Sequence, residues 1–321
     1  MSPSAKKKTI KPGRLHEGGK ICIVSPASPS LTTTYYEKGR SVLGEMGYHV
    51  VPGRHVHDRH LLFAGDAQAR AADINSAFRD ESIKAIICTR GGCGTAQILP
   101  YIDFPTIAKH PKIFVGYSDI TALQLAIFQR TGLVTFYGPM VSTDFGKQLT
   151  GYTGRSFLNV LTNTGNGIEL KNPVKKEMTT IVPGKAEGRL TGGCLSIVAA
   201  SLGTPYEIDA NNAILFFEDI DEKPHRIDRY LTQLTLAGKF RQARGIIFGT
   251  FQRCSYTTRD NYYKYGATLL DIIRERIIPL GIPCIFGLQF GHVRNKLTMP
   301  IGVTAALDAT NKRVTVEAAV T

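Results

Sequence analysis

Short apolar runs and helix-spaced segments alternate along the first half of this chain, and that alternation limits the fold more than any other feature. "KICIVSP" (20–26) is an apolar run that reads as a strand. "TTTYYEKGRSVLGEMG" follows with helical spacing and a closing glycine, Gly47. After the short strand "YHVVP", "DAQARAADINSAFRD" puts Ala67, Ala71, Ile74 and Phe78 on one helical face, with Asp66 as N-cap. "IKAIICT" is apolar almost throughout, as a strand covered on both faces must be. "TAQILPYI" reads as a short helix, "KIFVGY" as a strand, "DITALQLAIFQRTG" as a helix and "LVTFYGP" as a strand. Such repeats demand a doubly wound parallel sheet, and the fold class is α/β.

With 321 residues there is room for two domains. The expected division is a basic tail at 1–19, a first domain at 20–145, a linker at 146–180 and a second domain at 181–321. The linker assignment rests on "TNTGNGIELKNPVKKEMTT", rich in Gly, Asn, Pro and Lys. In the second domain, "GRLTGGCLSIVAASLG" reads as strand, glycine turn and helix. "AILFFEDI", "RGIIFGTF" and "CIFGLQFGH" read as strands, with helices at "RIDRYLTQLTLAG" and "GATLLDIIRERIIPLG". "GVTAALDATNKRVTVEAAV" reads as a closing β-pair.

Charge and cysteine usage narrow the setting. The net charge is +13, and Lys6, Lys7, Lys8, Lys11, Arg14 and Lys20 lie in or beside the tail, which reads as solvated and mobile. No basic stretch is interleaved with aromatics, so no nucleic-acid partner is expected. No apolar run is long enough to cross a bilayer, and no apolar core of a signal peptide follows the basic N-terminus. The expected location is the cytoplasm, with no membrane partner. None of the six cysteines forms a C-x-x-C pair, and several sit in apolar runs, as reduced, buried thiols do.

Ligands of open α/β sheets bind beyond the carboxyl ends of the strands. Four segments lie there. "TRGGCGTA" (89–96) has glycines that let backbone amides approach an anion; a plain tight turn is the alternative. "VGYSDIT" (115–121) sets Ser118 between a strand and a helix, as a nucleophile or as a helix cap. "AILFFEDIDEKPHR" delivers Glu218 at a strand end, as the acid that orients a histidine or as part of a solvated acidic loop. "GLQFGHVRNKLTMPIG" brings His292, as a general base or a structural histidine. "RHVHDRH" (54–60) does not keep the spacing of an H-x-H-x-D-H zinc pattern, and Cys93 has no histidine partner nearby, so no metal and no cofactor are expected.

Taken in order, "LLFAGDAQARAADINSAFRDESIKAIICTRGGCGTAQILPYID", "FVGYSDITAL", "GRLTGGCLS", "LFFEDIDEKPHRIDRYLTQL" and "GLQFGHVRNKLTMPIG" resemble the LD-carboxypeptidases, the muramoyltetrapeptide carboxypeptidase family of serine peptidases. The resemblance covers nearly the whole chain after the tail. It implies a Rossmann-like parallel-sheet N-terminal domain, a smaller mixed α/β C-terminal domain and an active site between them. It implies a catalytic triad of Ser118, Glu218 and His292. It also implies an oxyanion hole from the backbone amides of Gly92 and Asp119. Two positions depart from the family pattern: Cys93 stands where an aromatic residue is usual, and Cys194 where asparagine is usual.

The implied reaction is hydrolysis of the L–D amide before the terminal D-alanine of a muropeptide tetrapeptide, in cell-wall recycling. The alternative is a related peptidase that detoxifies peptide–nucleotide antibiotics; the absence of tryptophan leans against a purine-stacking site. A non-catalytic two-lobed binding protein would need no Ser-Glu-His set. The implied partner is a small muropeptide, and a homodimer is allowed. An exopeptidase must hold a free carboxylate, and Arg90 and Arg294 are the two guanidinium candidates.

Overall fold

The computed structural model describes residues 8–174 and 176–321. It contains two mixed sheets. The first is built from β1 (Lys20–Val24), β2 (His49–Pro52), β3 (Ile83–Cys88), β4 (Ile113–Gly116) and β5 (Thr135–Tyr137). The second contains β6 (Ile168–Glu169), β7 (Thr179–Val182), β8 (Lys185–Cys194), β9 (Ala213–Glu218), β10 (Gly245–Phe248) and β11 (Cys284–Phe286). Three strands close the chain: β12 (Met299–Ile301), β13 (Thr304–Asp308) and β14 (Arg313–Val316).

The first sheet has the order β12-β5-β4-β3-β1-β2 and is parallel except at β12. Ala85, Ile86, Ile87 and Cys88 of β3 are fully buried, because helices cover both faces. Burying each isoleucine contributes about 1.5–3 kcal/mol. The helices Thr33–Glu45 and Ala67–Arg79 fall where the periodicity puts them, and Asp66 caps the second by accepting from the Ala69 N–H at 2.8 Å. The second sheet has the order β6-β14-β13-β8-β9-β10-β11-β7, parallel from β8 to β11 and antiparallel elsewhere.

Four features differ from the sequence expectation. Lys6 and Lys7 lie outside the described residues, but residues 8–19 are not a free tail. Ile10 forms a bridge to Leu133, the Leu15 N–H donates to Leu161 O at 2.9 Å, and the Leu15 side chain is buried. Backbone bonds add to the hold: the Arg14 N–H donates to Thr321 O at 2.9 Å and the Thr321 N–H to Pro12 O at 3.0 Å.

The segment 146–180 is not simply a linker. It carries the helix Gly151–Thr162, capped by Thr150, which buries Phe157, Val160 and Leu161. Residues 181–321 do not form one separate body, since β12 pairs antiparallel with β5 and completes the first sheet. Finally, Gly192 and Gly193 are not a turn but the end of β8. A Cβ on Gly193 would lie 2.5 Å from Thr121 Cγ2, so the glycines serve close packing between the two halves.

Candidate active site

Ser118 follows β4 at the start of a short 3₁₀ turn that runs into the helix Thr121–Thr131. Its φ is +67°, the left-handed region that serine rarely occupies. Such strain persists only where surrounding bonds over-determine it. Here the Ser118 N–H donates to the Tyr137 hydroxyl at 3.0 Å, and the Ser118 carbonyl accepts from Thr121 Oγ1 at 2.6 Å. Thr121 Oγ1 in turn accepts from the Cys194 N–H at 3.1 Å, which ties the turn to the end of β8.

Glu218 is the last residue of β9, and it is fully buried. Its Oε1 accepts from the Tyr137 hydroxyl at 2.6 Å; its Oε2 accepts from the His292 backbone N–H at 3.1 Å and faces His292 Nδ1 at 2.8 Å. His292 Nε2 lies 2.9 Å from Ser118 Oγ. A carboxylate only accepts, so Nδ1 carries the proton and Nε2 presents a lone pair to the serine hydroxyl. The structure thus brings together all three side chains that the sequence reading singles out.

The glycine turn after β3 meets this site through Gly91: a Cβ there would lie 2.8 Å from Ser118 Cβ and 3.3 Å from the Asp119 nitrogen. Gly92, at φ +119°, faces Ser28 instead, where a Cβ would lie 2.3 Å from the hydroxyl. The Asp119 side chain accepts from the Thr95 N–H at 2.8 Å and locks the two loops together. Burial pushes its carboxyl above the usual range, against the pull of the Thr95 hydrogen bond.

The two arginines separate. Arg294 is exposed and donates to Gln148. Arg90 is part-buried beside Gly91, and its Nε is buried with no hydrogen-bond partner among the described residues.

Sequence reasoning missed Tyr137, which reads as one more apolar strand residue in "LVTFYGP". It also missed a buried ion pair between Lys296 and Asp144. The Lys296 ammonium lies 4.1 Å from the centroid of the Tyr117 ring, whose edge meets the His292 ring at 5.1 Å. Burial opposes the ammonium's charge, but Asp144 overrides it and holds the Lys296 pKa above its ordinary value. Next to Glu218, Asp219 accepts from the Ser196 and Ile220 N–H groups at 2.7 and 2.9 Å. Burial, reinforced by the Glu218 charge, pushes its pKa up to about 6.

In "RHVHDRH", His55 pairs with Asp58 at 2.7 Å and His57 packs on Tyr36 at 4.4 Å. Among the described residues, no three of His, Cys, Asp and Glu cluster as metal ligands. All six cysteines are unpaired.

A strained serine at a strand–helix turn, paired to a histidine that is paired to a buried carboxylate, is the constellation of serine hydrolases. Fold and site together define that class. The family models for the LD-carboxypeptidase N-terminal domain and C-terminal domain match residues 21–138 and 187–307. The chain belongs to the LD-carboxypeptidase family.

It is 41% identical over 312 residues to a probable murein peptide carboxypeptidase of Bacillus subtilis, covering 97% of this chain and 95% of the relative. The solved structure of a muramoyltetrapeptide carboxypeptidase from Oxalobacter formigenes matches with a TM-score of 0.80 at 30% identity, over 92% of this chain and 97% of that one. The microcin C7 self-immunity protein MccF of Escherichia coli is 29% identical over 328 residues, 93% of each chain. An apo structure of MccF matches with a TM-score of 0.89 at 26% identity, over 97% of this chain and all of that one. No helix of the described residues is long and apolar enough to cross a membrane.

Proposed function

We propose that the protein is a carboxypeptidase that removes the terminal D-alanine from muropeptide tetrapeptides, in cytoplasmic cell-wall recycling, with Ser118, His292 and Glu218 as its triad. The observation that carries this reading is the unbroken chain of contacts from Ser118 Oγ through His292 to Glu218. Ser118 Oγ attacks the carbonyl of the L-centre as His292 Nε2 takes its proton. The tetrahedral oxyanion is met by the amides of Gly92 and Asp119. His292 then protonates the departing D-alanine amine, and water releases the tripeptide by the same steps. Glu218 holds the imidazole tautomer throughout.

This scheme draws its nucleophile and base from side chains alone. Activity is therefore expected to survive exhaustive treatment with chelators. Loss on chelation, restored by added zinc or magnesium, would count against it.

The proposed anchor for the substrate's terminal carboxylate is Arg90, whose guanidinium has an unmet donor next to the glycine turn. Arg294, already paired with Gln148, is the control. Wild type is expected to prefer a free-acid tetrapeptide to its C-terminal amide. Arg90→Ala is expected to lose most of that preference by raising KM about 10- to 100-fold, the scale of one charged hydrogen bond. Equal rates on acid and amide in the wild type would end the anchor idea.

One observation favours a second substrate class. His225, Tyr256 and Tyr262 form an aromatic cluster in the C-terminal half, with ring centroids 5.2 to 6.0 Å apart. MccF has been solved with aspartyl sulfamoyl adenosine and with glutamyl sulfamoyl guanosine. The deciding experiment assays tetrapeptides ending in Lys–D-Ala and diaminopimelate–D-Ala beside aspartyl sulfamoyl adenosine. D-alanine release from either tetrapeptide supports the muropeptide reading; cleavage of the nucleotide conjugate alone replaces it.

A further inference from the structure

We infer that Tyr137 is a positioning residue for this reaction, a neutral phenol that fixes the acid and the nucleophile's turn with one hydroxyl. The inference rests on the triad reading above. Tyr137 ends β5 and is fully buried. Its hydroxyl lies 2.6 Å from Glu218 Oε1 and 3.0 Å from the Ser118 nitrogen. The proton's direction follows from the partners. An amide N–H can only donate and a carboxylate can only accept, so the phenol gives its proton to Glu218 and its lone pair to Ser118.

Two consequences follow for the triad. The short, charge-assisted bond to Oε1 resists rotation of the carboxylate and keeps both its oxygens on His292 Nδ1, Oε2 at 2.8 Å and Oε1 at 3.1 Å. That orientation matters most when the imidazole becomes charged. At the other end, the phenol oxygen satisfies the N–H of a residue held at φ +67°. Tyr137 belongs to the first sheet and Glu218 to the second, so one hydroxyl spans the junction. The ring is fixed by edge contacts with Tyr117 at 6.0 Å and Phe216 at 5.7 Å. Burial and the neighbouring Glu218 charge push the phenol pKa well up, so the hydroxyl keeps its proton.

The test uses the full chain and two readouts: turnover, and acylation of Ser118 by a fluorophosphonate probe followed by intact mass, which does not depend on the natural substrate. Tyr137→Phe is expected to slow both kcat and labelling about 10- to 100-fold, with KM changed less than about twofold. In a Glu218→Gln background the same change is expected to cost several-fold less than in the wild type, because only the phenol's hold on the Ser118 turn is left to lose. A tyrosine that only packs would cost the same factor in both backgrounds, and that result, or wild-type labelling of Tyr137→Phe, overturns the inference.

Should Tyr137→Phe fail to fold, 3-fluorotyrosine at position 137 keeps both hydrogen bonds while making the donor more acidic. A labelling rate altered about two- to fivefold is then expected, and an unchanged rate overturns the inference. Absence of labelling in the wild type sinks the triad reading itself, separately from Tyr137.

Discussion

Ser118→Ala is expected to remove turnover, by on the order of a million-fold in kcat, the scale seen when a triad serine is lost. The fold is expected to remain. Alanine at φ +67° is strained much as serine is, and the backbone N–H bond to Tyr137 survives the change. The melting temperature should therefore stay close to that of wild type. Ser118→Gly separates the two roles further. Glycine occupies the left-handed region without cost, so this variant is expected to be as inactive yet more stable by about 1 kcal/mol. Retention of more than about one per cent of turnover in the pure alanine variant would show that Ser118 is not the nucleophile.

Gly291→Ala is expected to disable the site from the opposite side. Gly291 precedes the histidine at φ +77°, and a Cβ there would lie 2.1 Å from the Glu218 carboxyl carbon. No rotamer change removes an overlap with a buried side chain held by three hydrogen bonds. Either Glu218 leaves His292 or the loop moves. Both break the geometry, and kcat is expected to fall about 10²- to 10⁴-fold, as when a triad acid loses its grip on the histidine. Gly281→Ala is the control: its φ is +67°, but a Cβ there meets nothing within 4 Å. It is expected to lower the melting temperature through strain alone while leaving kcat intact. Equal kcat for Gly291→Ala and wild type would mean that the Glu218–His292 contact does not matter for rate.

What could be read in the sequence was what is local. Ser118 and Glu218 follow apolar runs that form the buried strands β4 and β9, so their places at strand ends are legible locally; His292 follows an apolar run too, but only Cys284–Phe286 of it is strand, and the histidine lies six residues further on. Tyr137 was hidden because its role is visible only across the junction: its partners lie 19 and 81 positions away. The Lys296–Asp144 pair was hidden for the same reason, since "VRNKLTMP" gives no sign that its lysine is buried. Polar letters misled twice. They masked the helix at Gly151–Thr162, whose apolar face is narrow, and they made residues 8–19 look free when Ile10 and Leu15 hold them. The position of β12 could not be read at all, because three residues of strand carry no mark of which sheet they join.

That last strand also sets a clock. His292 and β12 are made long after Ser118; the serine and the histidine are separated by 174 positions. At ribosomal speeds of roughly 5–20 residues per second, the interval is roughly 9 to 35 s. Through it the emerging chain carries Ser118 without His292, and a parallel sheet whose β5 edge is still open. On the proposed triad, hydrolytic power therefore arises only once residue 292 has been made, and a chain released before that point is expected to lack its base.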